Sequence, residues 1–216
     1  MEVVATDSAD GEAEYEAALL AQPEHLPLAL RQKNAALSLR LKPLAQCAYS
    51  CHSSIAGFYD RMNAMSLDYG APVEMNPDFQ RGHVWSIDQK KAFVKAVLRG
   101  AVPESGFVIQ FNCANFENFD YEGDLPRGMQ CIDGLQRVTA LTEFCENKFD
   151  VDGLYSSDLE GSSFQISRGR FHLVMQIYAF ESKRELLEHY LAINGGGTPH
   201  SDDELERVRE MMDQCI

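Results

Sequence analysis

The residues of this chain best suited to chemistry lie between positions 129 and 144, in the stretch MQCIDGLQRVTALTEF. There Asp133, Gly134, Gln136 and Arg137 stand where a strand-like apolar run gives way to helical spacing. A helix N-terminus offers free N–H groups and a positive dipole end, which suit a phosphate, and glycine permits close backbone approach. Arg137 would add a forked cationic partner for phosphate oxygens. Asp133 would hold a divalent metal or orient an attacking water.

A structural interpretation of the same residues stays open. Asp133 and Gln136 match an Asp-x-x-Gln capping box for the helix that follows, and Gly134 would then serve only to turn the backbone tightly. The motif alone does not decide between a helix cap and phosphate chemistry.

The elements around this motif alternate between strands and helices. Ser86 and Gln89 form a capping box for a helix running to Gly100, so the segment FQRGHVW before it is predicted to be a loop or short strand. A strand in SGFVIQFN, a polar loop and the strand MQCI follow. This order of elements is typical of an α/β domain.

The C-terminal third is predicted to contain two strands, SSFQIS and GRFHLVMQIYAF, joined by a turn at 168–169, and then two helices. The first of these helices covers 181–193 and stops at Asn194 and the run Gly-Gly-Gly at 195–197. A helix cap needs one glycine, so three glycines suggest backbone lying against a ligand or a neighbouring strand.

We predict three regions along the chain. Residues 1–12 are acidic and small, which is typical of a disordered tail. Residues 13–70 are predicted to form a helical N-terminal extension, broken near Pro23 and Pro27 and including one or two helices in LAQCAYSCHSSIAGFYDRMNAM. Residues 71–216 form the α/β domain.

The formal net charge of −14 limits the partners. Binding to duplex DNA without sequence preference draws on clustered Lys and Arg, so we expect DNA contact only through a local site. No apolar run approaches the roughly 20 residues of a membrane span, and the acidic N-terminus does not resemble a secretory signal. We therefore expect a cytoplasmic protein without membrane contact, in a bacterium or a phage-infected host cell, with its six cysteines as free thiols.

Three motifs, NPDFQRGHVWS, CIDGLQRVTAL and YLAINGGGTPHSDDEL, occur in order across roughly residues 72–214. Together they resemble the ParB/sulfiredoxin-like domain at the N-terminus of GmrSD-type modification-dependent restriction enzymes, whose hallmark is a D-G-Q-Q-R motif. The resemblance implies an α/β (α+β) fold: a compact mixed-sheet domain, here with an added helical N-terminal segment.

The resemblance also implies a nucleotide-binding and hydrolysing site, with an NTP as substrate or ligand and Mg²⁺ as cofactor. Leu135 departs from the first glutamine of the hallmark, which leaves turnover open. The implied catalytic residues are Asp133, Gln136 and Arg137, with Asp133 also holding the metal, and the implied nucleotide-binding residues are Gln80, Arg81, Gly134, Asn194 and Thr198.

Three functions are consistent with these observations. The first is a nucleotide-binding domain with metal-dependent NTPase activity, linked to restriction or its evasion in bacteria or phage and working with a protein of a restriction or DNA-processing system. The second is a non-catalytic acidic interaction protein, such as a phage inhibitor of a host DNA-binding enzyme. The third is a ParB-like nuclease, which the acidic charge disfavours.

Overall fold

The computed structural model describes residues 9–166, 171–194 and 202–215. The chain divides into two compact units, Met1–Ala45 and Gln46–Ile216. This division falls earlier than the boundary at residue 70 that the sequence suggested.

Over its described residues, 9–45, the first unit contains two helices that contact each other, α1 (Ala9–Leu20) and α2 (Leu28–Leu41). Helix α1 begins inside the segment predicted to be an acidic tail. Pro27 stands directly before α2, where a missing N–H costs nothing because the first N–H groups of a helix have no partner within it. The predicted break between the two helices is present.

The second unit is built on a four-stranded mixed sheet in the order β1-β4-β2-β3. Strands β1 and β4 are antiparallel, β4 and β2 are parallel, and β2 and β3 are antiparallel with a register irregularity at Gln110/Phe111. The predicted α+β class is therefore confirmed. The strands are β1 (Tyr49–Ser54), β2 (Val108–Asn112), β3 (Gln130–Asp133) and β4 (His172–Tyr178).

Five α-helices accompany the sheet among the described residues of this unit. The capping box predicted for the second of them is confirmed, since the Gln89 N–H donates to Ser86 Oγ at 3.3 Å and the Ser86 N–H donates to Gln89 Oε1 at 2.8 Å. The helices are α3 (Phe58–Asp68), α4 (Ile87–Leu98), α5 (Leu135–Cys145), α6 (Lys183–Asn194) and α7 (Asp202–Asp213).

Each face of the sheet carries its own apolar core. Ile109 of β2 and Leu173 of β4 belong to a cluster that includes buried residues of α3, α4 and α5. Ile132 of β3 and Tyr178 of β4 belong to a second cluster with residues of α6 and α7. Alternate strand residues thus fasten helices to both faces, and the β3–α5 junction lies between the two cores.

Two predictions about strands were wrong. Residues 49–54, predicted to be helical, form β1, which pairs with β4 over its whole length. The described part of SSFQIS, residues 162–166, is not a strand: the Ser162 N–H donates to the Leu159 carbonyl oxygen, and the Phe164 N–H donates to Ser162 Oγ. Such local bonds give the backbone an alternative to a sheet ladder. The turn predicted at 168–169 lies outside the described residues.

In the described part of the chain, no helix is both long and apolar enough to cross a membrane.

Candidate functional site

The junction between β3 and α5 is held by an ion pair instead of a helix cap. Strand β3 ends at Asp133, Gly134 adopts φ 98° and ψ 0°, and α5 begins at Leu135 with no side chain capping it. The Asp133 carboxylate accepts a hydrogen bond from the Arg137 guanidinium, one helical turn along. The capping-box interpretation of this motif is therefore wrong.

Gly134 is required by the sheet. Its φ lies in the left-handed region that favours glycine, and an added Cβ would stand 2.5 Å from Ile109 Cδ1 and 3.2 Å from the Val108 carbonyl oxygen. The turn at Gly134 therefore packs directly against β2. This packing accounts for a glycine at 134 without a ligand.

Gln136 ties the loop before α4 to the first turn of α5. Its Oε1 accepts from the backbone N–H groups of Val84 at 3.1 Å and Trp85 at 3.2 Å, and its Nε2 donates to the Gly82 carbonyl oxygen. Both ends of the amide are engaged by backbone. The contacts give Gln136 a positioning role, whereas the sequence suggested that it orients a nucleotide or a water.

Gln80 fastens the same region to the sheet. Its Nε2 donates to the carbonyl oxygens of Cys131 at 2.7 Å and Ile132 at 2.9 Å, at the end of β3. The neighbouring Arg81 borders the same cavity as Gln80, so these bonds hold the segment that carries Arg81 next to the β3–α5 junction.

Arg207 of α7 also holds this segment, and sequence reasoning missed it. Its guanidinium donates to the carbonyl oxygens of Asp78 at 2.6 Å, Phe79 at 3.2 Å and Gln80 at 3.3 Å. The sequence of α7 also contains Arg209, and nothing in its pattern distinguishes the two arginines.

His83 and Trp85, in the loop that Gln136 holds, have structural contacts. His83 Nδ1 lies 3.5 Å from Thr139 Oγ1, which is itself 3.1 Å from the Tyr59 hydroxyl. The Trp85 ring packs edge-on against Phe93 of α4 at 5.4 Å between centroids. His83 thus has a polar partner on α5, and Trp85 packs against α4.

A cavity of about 360 Å³ opens at the β3–α5 junction. It gathers residues from motifs far apart in the sequence, which is the arrangement that the resemblance implied. Thr198 and the glycine run 195–197 lie outside the described residues. The predicted residues that border the cavity are Gln80, Arg81, Asp133, Gly134, Gln136, Arg137 and Asn194.

The described cavity wall combines two guanidinium groups with one carboxylate. Arg137 is held at two points, since it pairs with Asp133 and its Nη1 donates to the Ser105 carbonyl oxygen at 3.0 Å. Its side chain is 19% exposed and that of Asp133 is 41% exposed, so both reach solvent in the cavity. With Arg81, the ionised groups of the wall carry a net positive charge in a chain of −14.

The remaining wall is aromatic, aliphatic and amide. Trp85, Tyr190 and Ile193 supply apolar surface. Asn194 is the last residue of α6, and its Nδ2 donates to the Tyr190 carbonyl oxygen at 2.8 Å, which fixes its side chain at the cavity rim. A charged pole beside flat apolar walls suits a ligand with an anionic part and a planar part.

The site provides few ligands for a metal. Within residues 9–166, 171–194 and 202–215, no group of three or more His, Cys, Asp or Glu side chains is placed to hold a metal ion. Asp133 is the one carboxylate in the described cavity wall. A single carboxylate fits Mg²⁺ where the phosphate oxygens of a bound nucleotide supply further ligands.

Cys131 lies next to the site but is not suited to act as a nucleophile. Burial, and after it the charge of Asp133, raises the pKa of its thiol well above the usual value. The thiol therefore stays protonated near neutral pH, and only a thiolate is an effective nucleophile.

The family model described as the GmrSD restriction endonuclease, N-terminal domain, matches residues 67–209. The chain belongs to this family. The matched region includes every described residue that borders the cavity, from Gln80 to Asn194. No curated protein and no solved structure matches the chain.

Proposed function

We propose that this member of the GmrSD N-terminal domain family binds a nucleoside triphosphate in the cavity at the β3–α5 junction and acts in a restriction system of bacteria or phage. The family match supports the link to restriction. The observation that carries the binding proposal is the meeting of Arg81, Arg137 and the uncapped N-terminus of α5 around one cavity. Each of these groups attracts phosphate oxygens.

In this proposal the triphosphate lies against the two guanidinium groups and the start of α5, and the base lies along the apolar wall of Trp85 and Tyr190. Asn194 contacts the nucleotide at the rim. Gln80, Gly134 and Gln136 act through position, because their contacts hold the segments that carry Arg81 and Arg137.

Turnover would depend on Asp133. Its carboxylate is paired with Arg137, and a triphosphate competes for the same guanidinium, because phosphate oxygens match its fork as well as a carboxylate does. Asp133 is then free to hold Mg²⁺ or to orient an attacking water. The metal would neutralise charge on the phosphate oxygens.

The test of binding is calorimetric titration with each of the four NTPs in the presence of Mg²⁺. Arg137→Ala should weaken binding by about tenfold or more, because a charge-assisted hydrogen bond is lost. Arg99→Ala is the matched control: it removes the same charge from an exposed position at the end of α4, outside the described cavity wall. Unchanged affinity in a folded Arg137→Ala variant would refute the proposal.

Binding without hydrolysis is the second candidate, favoured by the side chains at the two glutamine positions of the hallmark motif. Leu135 is 2% exposed and belongs to the core, and the Gln136 amide is engaged by the loop backbone. Neither residue presents a free amide to a water or a phosphate. The chain would then act through a protein partner, as expected for a non-catalytic acidic interaction protein.

Phosphate release separates the two candidates. If the chain hydrolyses its nucleotide, release should be measurable with the unmodified protein and lost in Asp133→Asn. If it does not, titration should show binding while no phosphate is released, and partner capture should be unaffected by Asp133→Ala. The nuclease hypothesis predicts instead a Mg²⁺- or Mn²⁺-dependent nicking of DNA that disappears in Asp133→Ala.

A further inference from the structure

Four aromatic rings form a continuous row on the surface of the second unit, outside the described wall of the cavity. Tyr49 of β1 lies 5.9 Å from Phe116, Phe116 lies 5.4 Å from Tyr69 at the end of α3, and Tyr69 lies 5.4 Å from Phe119, measured between ring centroids. Neighbouring rings are tilted by 30–34°. We call these four residues the aromatic row.

The row is anchored in the middle and exposed at its ends. Tyr69 and Phe116 pack against the apolar cluster that contains Ile109 and Leu173, whereas Tyr49 is 44% exposed and Phe119 is 58% exposed. Asn115, which is fully buried, donates from Nδ2 to the Tyr69 carbonyl oxygen at 2.8 Å and so fastens the loop carrying Phe116 and Phe119 to α3. The row therefore needs little ordering before it binds a partner.

The residues of the row have exposed acidic neighbours in the chain, Asp68, Glu117 and Asp120, and we call these three the acidic rim. Glu117 and Asp120 are exposed beside Phe116 and Phe119 in the chain, and no described cation forms an ion pair with either. Asp68, which directly precedes Tyr69 in the chain, is also exposed.

One basic side chain hydrogen-bonds to the row in the described part of the chain. Arg127 donates from Nη2 to the Phe119 carbonyl oxygen at 3.1 Å. Its charge is outnumbered by those of Asp68, Glu117 and Asp120, so the rim keeps a net negative charge.

We propose that the aromatic row is a docking surface for a basic segment of a partner protein, in which arginine side chains lie over the exposed rings and pair with the acidic rim. Arginine is the side chain that combines these contacts, since its guanidinium stacks on aromatic faces and forms bidentate bonds to carboxylates. Aliphatic residues between the arginines would cover the rest of the rings. This surface is separate from the proposed nucleotide site, and its test does not depend on that site.

A single-stranded nucleic acid is the competing occupant, because bases also stack on aromatic side chains. Proteins that bind single strands place their rings in a positively charged groove that follows the phosphates. The rim of the aromatic row has the opposite charge, which disfavours phosphates and favours a cationic peptide.

The experiment uses the full chain and a short fluorescein-labelled peptide in which arginine and leucine alternate, followed by fluorescence anisotropy. A second peptide with citrulline in place of every arginine keeps the shape and removes the charge. Phe119→Ser tests the row, and Phe164→Ser is its matched control, since Phe164 is 50% exposed and belongs to no ring contact of the row. Thermal unfolding confirms that both variants are folded.

The proposal predicts saturable binding of the arginine peptide, binding that Phe119→Ser weakens about two- to fivefold, as expected for an exposed cation–π contact. Asp120→Asn should also weaken it, and Phe164→Ser should leave it unchanged. The citrulline peptide should bind less well than the arginine peptide.

Three results would overturn the proposal. The first is no binding of the arginine peptide by the unmodified chain. The second is equal affinity in Phe119→Ser and Phe164→Ser, which would show attraction by net charge alone. The third is tighter binding of a labelled single-stranded oligonucleotide that Phe119→Ser abolishes, which would identify a nucleic-acid surface.

Discussion

Replacing Gly134 by alanine tests whether this glycine is required by the packing of the turn against β2. The added methyl group would meet Ile109 Cδ1 at 2.5 Å and Ile109 Cα and the Val108 carbonyl oxygen at 3.2 Å. The end of the Ile109 side chain can rotate away, but the backbone atoms of β2 cannot move without disturbing the sheet. Gly134→Ala should therefore lower the free energy of unfolding.

Two costs add at this position. A residue with a side chain at φ 98° costs about 1–3 kcal/mol in backbone strain, and an overpacked methyl group costs about 1–3 kcal/mol more. We expect a total of about 2–6 kcal/mol. For a protein of this size that corresponds to a fall in Tm of roughly 4–24 °C.

Gly153→Ala is the matched control for the packing cost. Gly153 also has a positive φ, 80°, but no atom lies within 4 Å of an added Cβ, so this variant carries backbone strain alone. Thermal and urea unfolding of both variants give the difference, which should be at least about 1 kcal/mol. Equal losses of stability in the two variants would contradict the packing argument. Gly134 would then be explained by close approach of a ligand to its backbone.

Three further changes test other contacts in the second unit. Gln136→Leu removes the hydrogen bonds that hold the loop before α4. It should lower the free energy of unfolding by about 1–3 kcal/mol and shift the fluorescence emission of Trp85. An unshifted spectrum would mean that the loop keeps its conformation without these bonds. Arg207→Ala should speed amide hydrogen exchange in the segment that it bonds, whereas Arg209→Ala, whose partner lies on its own helix, should not; equal exchange rates in the two variants would refute this role. His189 is 4% exposed, neither ring nitrogen has a hydrogen-bond partner in the described structure, and burial lowers its pKa below 6.5. Below about pH 6.5 the unfolded chain takes up a proton at this histidine that the folded chain does not, so the free energy of unfolding decreases as the pH is lowered. His189→Leu should therefore flatten the dependence of stability on pH between about pH 7 and pH 5.5. A variant curve as steep as the wild-type curve would count against the assignment to His189.

Local signals predicted much of the fold. The Ser86–Gln89 box places the start of α4 because both of its hydrogen bonds join residues three apart. The apolar runs predicted β2 and β3, and the change to helical spacing after Gly134 predicted α5. Each of these signals lies within a few residues of the element that it predicts.

Strand β1 shows what a single sequence does not reveal. Its residues are mostly polar and exposed, and only Ser53 is buried, so no alternation of apolar and polar residues marks it. It is a strand because β4, more than a hundred residues later, offers an unpaired edge. Pairing partners so distant in the chain leave no local pattern.

The candidate site was predicted unevenly for the same reason. The three motifs named its residues, and the structure brings the described ones to one cavity. The partners of those residues were not predictable, since Gln136 bonds backbone some fifty residues earlier and Gly134 packs on β2. Arg207 acts on carbonyl oxygens more than a hundred residues away, and no motif records that contact.

The most direct test of the nucleotide proposal uses Trp85, the single tryptophan of the chain, which borders the cavity. Its emission should be followed as each NTP is added with Mg²⁺, with N-acetyl-tryptophanamide as the control for absorption by the nucleotide. If the nucleotide lies in the cavity, the emission should show a saturable change that Arg99→Ala retains, and Arg137→Ala should need about tenfold or more nucleotide to reach it. Binding detected by calorimetry with no change in Trp85 emission would place the nucleotide elsewhere, and no binding of any NTP would contradict the proposed function.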